Sequence, residues 1–233
     1  MTARAARDAP VSRASIPQFD RQQSGRTGCA TLRRLHITIS FVDETFMSDS
    51  LVFVLPGYAN SGPLHWQSRW ERADARFVRV AMPDWNHAFR NGWCLALDRA
   101  IDAARGPVTI AAHSLGTLTT AWWATRYARP AALAKVRGAL LVALPDPAGA
   151  VFPADAHGFG PVPHERLPFP TRVVASSDDP YGSISFARGC AQAWGSVFHD
   201  LGPRGHINAD SGLGDWPDGR RWLDALGGGA ERG

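Results

Sequence analysis

The chain has 233 residues, 45% hydrophobic and 20% charged, which suits one globular domain and excludes a disordered or repeat-built chain. Residues 1–46 carry +3 of the formal net charge of +4, so the remainder is near neutral. That remainder offers no electrostatic footprint for nucleic acid or a lipid surface, and no apolar run approaches the roughly 18 residues that span a bilayer.

Residues 1–46 are rich in Arg, Ser and Gln and hold no apolar h-region, so they do not read as a secretory signal. Two readings stand for them: a disordered extension, or translation beginning at Met47. Residues 47–228 are expected to form the folded domain. Cys29, Cys94 and Cys190 are an odd number without a CxxC pair. They argue against a disulfide framework or a zinc site and fit a reducing, cytoplasmic compartment.

From Leu51 the pattern becomes regular. Leu51–Leu55 reads as a short buried strand stopped by Pro56-Gly57, and residues 64–74 read as an amphipathic helix. A strand is expected over 77–81, a helix over 92–104, a strand over 108–112 and a helix from Ser114 to about Ala128. Strands follow over 136–144 and 172–176, then a helix over 186–194, a strand over 196–201 and a closing helix over 220–226. Apolar strands alternating with amphipathic helices predict an α/β fold with a mostly parallel sheet of about six strands, helices on both faces and little or no cap. Ligands of such sheets bind at the carboxyl ends of the strands.

The segments that carry chemistry all fall just after strands. Ala112-His113-Ser114-Leu115-Gly116 lies between the buried VTIA and the helical LTTAWWATRYA, the strand–turn–helix setting of a nucleophile elbow. Positions two residues either side of the serine must be small there. Gly116 satisfies this, and Ala112 adds one methyl. A serine nucleophile needs a base, and the base an orienting acid. His206, in the loop after the last expected strand, is the candidate base. His65, His87, His157, His164 and His199 lie at the wrong places in chain order, His36 lies in the extension, and His113 reads as a packing residue of the elbow. The acid comes from Ser176-Ser177-Asp178-Asp179-Pro180, where two acids compete. Asp179, fixed by the following proline, is taken as the orienter, and Asp178 as a loop cap or a solvent-facing group. The oxyanion hole is expected from the N–H groups of Leu115 and Tyr58. Trp66, Trp85 and Trp93 have two readings: walls of a small acyl pocket, or ordinary aromatic packing.

Taken together, LPGYANSGPLHWQSRW, MPDWNH, VTIAAHSLG, SSDDPYGS and GHINADSGLGDWPDG resemble the small serine hydrolases grouped with retinoblastoma-binding protein 9 and their bacterial relatives. The resemblance spans roughly residues 50–226. It implies an α/β-hydrolase fold, a triad at Ser114, Asp179 and His206, and hydrolysis of small acyl esters without metal or cofactor. Amide or thioester cleavage uses the same constellation, and a binding protein with a relict triad is the remaining alternative. Nothing in the sequence sets the oligomeric state.

Overall fold

The computed structural model describes residues 50–228. The expectations for residues 1–46, including Cys29, lie outside the described residues. The chain runs β1 (Leu51–Leu55), α1 (Trp66–Ala73), β2 (Phe77–Arg79), β3 (Ala88–Phe89), α2 (Arg90–Ala103), β4 (Val108–His113) and α3 (Leu115–Trp122). It continues through α4 (Pro130–Leu133), β5 (Val136–Val142), β6 (Ala156–His157), β7 (Thr171–Ala175), α5 (Ile184–Trp194), β8 (Val197–Asp200) and α6 (Pro217–Leu226). Six strands form one sheet in the order β2-β1-β4-β5-β7-β8, every neighbouring pair parallel. This is the α/β-hydrolase fold.

The strands are apolar throughout because both faces are covered. Successive side chains point to opposite faces. Val52 and Val54 therefore meet Trp66 and Trp70 of α1 and Leu223 of α6. Phe53 and Leu55 point the other way, into the core made with α2, α3 and α5. The same alternation holds in β5, where Leu140 and Val142 join the first core and Ala139 and Leu141 the second. Each large aliphatic side chain buried this way contributes about 1.5–3 kcal/mol.

Strand order reverses beside β1, since the chain passes from β1 outward to β2 and then back across to β4. A crevice opens at the carboxyl ends of strands at such a switch point. The loop after β1 and the turn after β4 flank it here.

Three features depart from the expected elements. The helix expected over 114–128 ends as α3 at Trp122 and continues as a π-helical stretch, Trp123–Tyr127, in which the Ala128 N–H bonds Trp123 O at 2.9 Å. Hydroxyls of Thr119, Thr120 and Thr125 bond carbonyls four residues back, a competition that bends helices. The paired β3 and β6 are two residues each, too short for any periodicity to announce them. They fasten the Pro-rich excursion between β5 and β7 to the start of α2. The strand expected over 77–81 stops at Arg79.

Candidate active site

β4 ends at His113, and α3 begins at Leu115. Ser114 between them has φ 52° and ψ −122°, a conformation that costs a non-glycine residue of order 1–3 kcal/mol. Its backbone is held on both sides: its N–H bonds Val142 O at 2.9 Å, and its carbonyl accepts both the N–H and the hydroxyl of Thr117. Small neighbours are obligatory. A Cβ on Gly116 would lie 2.4 Å from Leu55 O, and one on Gly57 would lie 2.6 Å from Ser114 Cβ.

Ser114 Oγ lies 2.8 Å from His206 Nε2. His206 Nδ1 lies 2.9 Å from both oxygens of Asp179. A carboxylate only accepts, so Nδ1 carries the proton and Nε2 turns its lone pair to the serine, the tautomer a general base needs. Asp179 is almost fully buried, and its Oδ1 also accepts the Tyr181 N–H at 2.9 Å. Its neighbour Asp178 points elsewhere: it accepts the Ser176 hydroxyl and the Gly205 N–H, both at 2.7 Å. Those two bonds, the Ser176 hydroxyl first, hold the Asp178 carboxyl below its usual range. Asp178 thus ties the loop after β7 to the loop that carries His206.

Leu115 is the first residue of α3, so its N–H has no acceptor within the helix. Across from it runs Gly57-Tyr58-Ala59-Asn60. Ala59 and Asn60 take left-handed φ values of 61° and 66°. The Ala59 N–H bonds Trp85 O at 2.9 Å, and Asn60 Oδ1 accepts from the Ser61 N–H and Arg79 Nη1. Buried Gln67 donates to both Leu55 O and Ala111 O, joining the ends of β1 and β4 beneath this loop. Both expected oxyanion donors, Tyr58 and Leu115, line one cavity with Ser114 and His206, of about 240 Å³.

The rest of that cavity was not foreseen. Its apolar wall is Pro145, Phe152, Pro153 and Tyr181, and Asn60, His65 and Asn208 add polar groups. Phe152 and Pro153 arrive from the excursion between β5 and β7, where no helical or strand period marks them. Tyr181 closes over the base, its ring centroid 4.4 Å from that of His206.

Trp66, Trp85 and Trp93 do not line this cavity; the structure places them in or against the two cores. Trp66 is 1% exposed and donates its Nε1–H to Ile207 O at 2.9 Å. Trp93 is equally buried and donates to Asp84 O, with Trp85 edge-on against it at 5.6 Å. Trp66 on α1 and Trp93 on α2 bury their faces in the two cores, and Trp85, half-buried in the loop before β3, packs against the edge of one of them. His113 packs as expected, but it also reaches the cavity and bonds His206 O at 2.8 Å.

Two further imidazoles sit beside the base. His65 caps α1, its Nδ1 accepting the Gln67 N–H, and burial first, then the charges of Arg79 and His206, lowers its pKa to about 3. Burial likewise holds His113 well below its ordinary value. Both rings are therefore neutral at pH 7. Among the described residues no group of three or more His, Cys, Asp or Glu is arranged to hold a metal, and no helix is long and apolar enough to cross a membrane.

Known proteins share this fold. A YdeN-like hydrolase from Pectobacterium atrosepticum is 31% identical, aligning over 76% of this chain and 90% of its own at a TM-score of 0.66. The ydeN gene product of B. subtilis is 19% identical over 76% of this chain and 98% of its own, with a TM-score of 0.61. The esterase RhEst1 from Rhodococcus sp. is 14% identical over 76% of this chain and 92% of its own, with a TM-score of 0.55, a likeness of fold. No curated protein matches the chain significantly. The serine hydrolase family model matches residues 52–225, and the chain belongs to the serine hydrolase family.

Proposed function

We propose that this hydrolase cleaves small, uncharged acyl esters through an acyl-enzyme on Ser114. One observation carries the reading: the serine, base and acid stand in hydrogen-bonded order at a cavity of about 240 Å³ whose lining, among the described residues, holds no Asp, Glu, Lys or Arg. His206 Nε2 takes the Ser114 proton as Oγ attacks the ester carbonyl carbon. The N–H groups of Tyr58 and Leu115 receive the negative charge that develops on the carbonyl oxygen. The tetrahedral intermediate then collapses, and His206 returns the proton to the departing alkoxide. A water deprotonated by His206 releases the acid in the reverse sequence. Asp179 holds the Nδ1–H tautomer and steadies the imidazolium.

The finer resemblance to the retinoblastoma-binding protein 9 group, through HWQ, SDDPY and GHINADSGLGDW, supports the same reading. Cys94 and Cys190 are free, and burial pushes their thiols up to about 12 and about 11, so neither competes as a nucleophile. Unpaired buried thiols also fit a cytoplasmic location.

A series of p-nitrophenyl esters tests the substrate class. The highest kcat/KM is expected for acyl chains of roughly two to six carbons, because the cavity lies below the usual range for drug-sized ligands. A fluorophosphonate adduct mapped by peptide mass should fall on Ser114. An optimum at long chains overturns the size reading, and absence of any adduct overturns the enzyme reading.

The two adjacent acids give a second test. Asp179→Asn is expected to lower kcat by about 10⁴-fold, since an amide favours the wrong imidazole tautomer. Asp178→Asn keeps an acceptor oxygen for Gly205 and should cost roughly tenfold or less. Equal losses in the two variants would remove the distinction drawn between them.

A further inference from the structure

The backbone is left-handed on both sides of His206, freely so at a glycine and at a cost at Ile207. Gly205 has φ 55° and Ile207 has φ 48°. A β-branched residue in the left-handed region persists only where the surroundings over-determine it. Within the loop the Ile207 N–H makes a single long bond, 3.3 Å to Arg204 O. The stronger anchors come from elsewhere in the chain. His113 Nε2 lies 2.8 Å from His206 O, and Trp66 Nε1 lies 2.9 Å from Ile207 O. Two consecutive carbonyls, that of the base and that of the next residue, are thus each held by an aromatic ring N–H.

Both anchors are rigid. Trp66 opens α1 and is packed against Trp70 and Trp216 at ring separations of 4.6 and 5.1 Å. His113 ends β4, 5% exposed, with the His65 ring edge-on at 4.6 Å. A carbonyl oxygen only accepts, so His113 Nε2 must be protonated, and burial keeps the ring from gaining a second proton that would oppose an imidazolium on His206. The rings of His113 and His206 are themselves in contact, centroids 4.9 Å apart. His113 also directly precedes Ser114. One residue therefore fixes the height of the nucleophile through the chain and that of the base through a hydrogen bond.

We propose that Trp66 and His113 are positioning residues for His206, clamping its backbone so that Nε2 meets Ser114 while Nδ1 meets Asp179. The inference rests on the triad reading given above. It assigns to Trp66 of α1 and to His113, the residue before the nucleophile, a role in the reaction exerted through the backbone of the base.

The test uses Trp66→Phe, His113→Phe and His113→Gln in the full chain. Gln places an N–H near the position of Nε2, whereas Phe keeps the ring volume and loses the donor. Each Phe variant is expected to lower kcat about 10- to 100-fold on a short p-nitrophenyl ester and to leave KM within about twofold. His113→Gln should recover most of the loss. Proton NMR supplies a readout that needs no substrate: the far-downfield Nδ1–H resonance of His206, identified by its absence in His206→Ala, should broaden or vanish in both Phe variants. Folded Phe variants with wild-type kcat and an unchanged resonance overturn the proposal, as does a loss that His113→Gln fails to recover. If His113→Phe does not fold, Trp66→Phe decides by the same two readouts. Should the wild type cleave no ester, the ester reading fails, and the resonance alone still upholds or overturns the clamp.

Discussion

Replacing Ser114 with alanine is expected to lower kcat by about 10⁵-fold or more while leaving the melting temperature within about 2 °C of the wild type. The two halves of this result have separate causes. Activity falls because the hydroxyl at the mouth of the cavity is the one in hydrogen-bond contact with the base, His206 Nε2, 2.8 Å from Oγ. Stability hardly moves because that hydroxyl has no second partner among the described residues, and alanine inherits the same φ of 52° with the same Cβ. Ser114→Gly separates the strain from the chemistry. It removes the Cβ, so it should be equally inactive yet melt about 2–4 °C above the alanine variant, which corresponds to about 1 kcal/mol of relieved strain. Thermal melts beside an ester assay measure both. Residual turnover within 100-fold of wild type in the alanine variant would point to another nucleophile.

Gly116→Ala should act in the opposite way, through the fold. The added methyl would stand 2.4 Å from Leu55 O and 2.9 Å from Pro56 O. Both are backbone atoms at the end of β1 and cannot swing aside as a side chain would. α3 must therefore withdraw from β1, or β1 must part from β4, to which Leu55 is paired through Ala112. A loss of about 3 kcal/mol is expected, a fall in melting temperature of roughly 6–12 °C. Activity should drop with it, because Gly57 and Tyr58 continue directly from the displaced carbonyls. Ala112, two residues before the serine, shows the contrast: it is fully buried in β4 and the sheet accepts its methyl. Calorimetry on the variant decides the matter, and a melting temperature within 1 °C of wild type would show that elbow and strand are not in the contact described.

Much of this was legible in the sequence, for identifiable reasons. The buried strands announced themselves as apolar runs because both sheet faces are covered. The Ser114 elbow was legible because a turn that tight restricts its neighbours to small residues, and Gly116 is one. The proline after Asp179 separated two chemically identical acids. What stayed hidden depends on long-range packing. Trp66 looks the same in a sequence whether it walls a cavity or anchors a carbonyl 141 positions away. Phe152 and Pro153 come from an excursion held by a two-residue strand pair, and two residues carry no period. A histidine inside the elbow reads as packing, which is true of the His113 ring and silent about its Nε2. Ends of elements shifted by a few residues where side-chain hydroxyls compete with backbone bonds, as along α3.

The serine and its base are separated by 92 positions in the chain, and the base and its acid by 27. β4, β5, β7 and β8 must be docked in parallel register before the three groups meet. Parallel pairing closes long loops and is slow to form. A partly collapsed chain therefore has no nucleophile, however much of its secondary structure it has gained. A serine-directed probe is thus expected to label only the finished fold, and the unfinished chain to lack a hydrolytic centre while its own surfaces are still exposed.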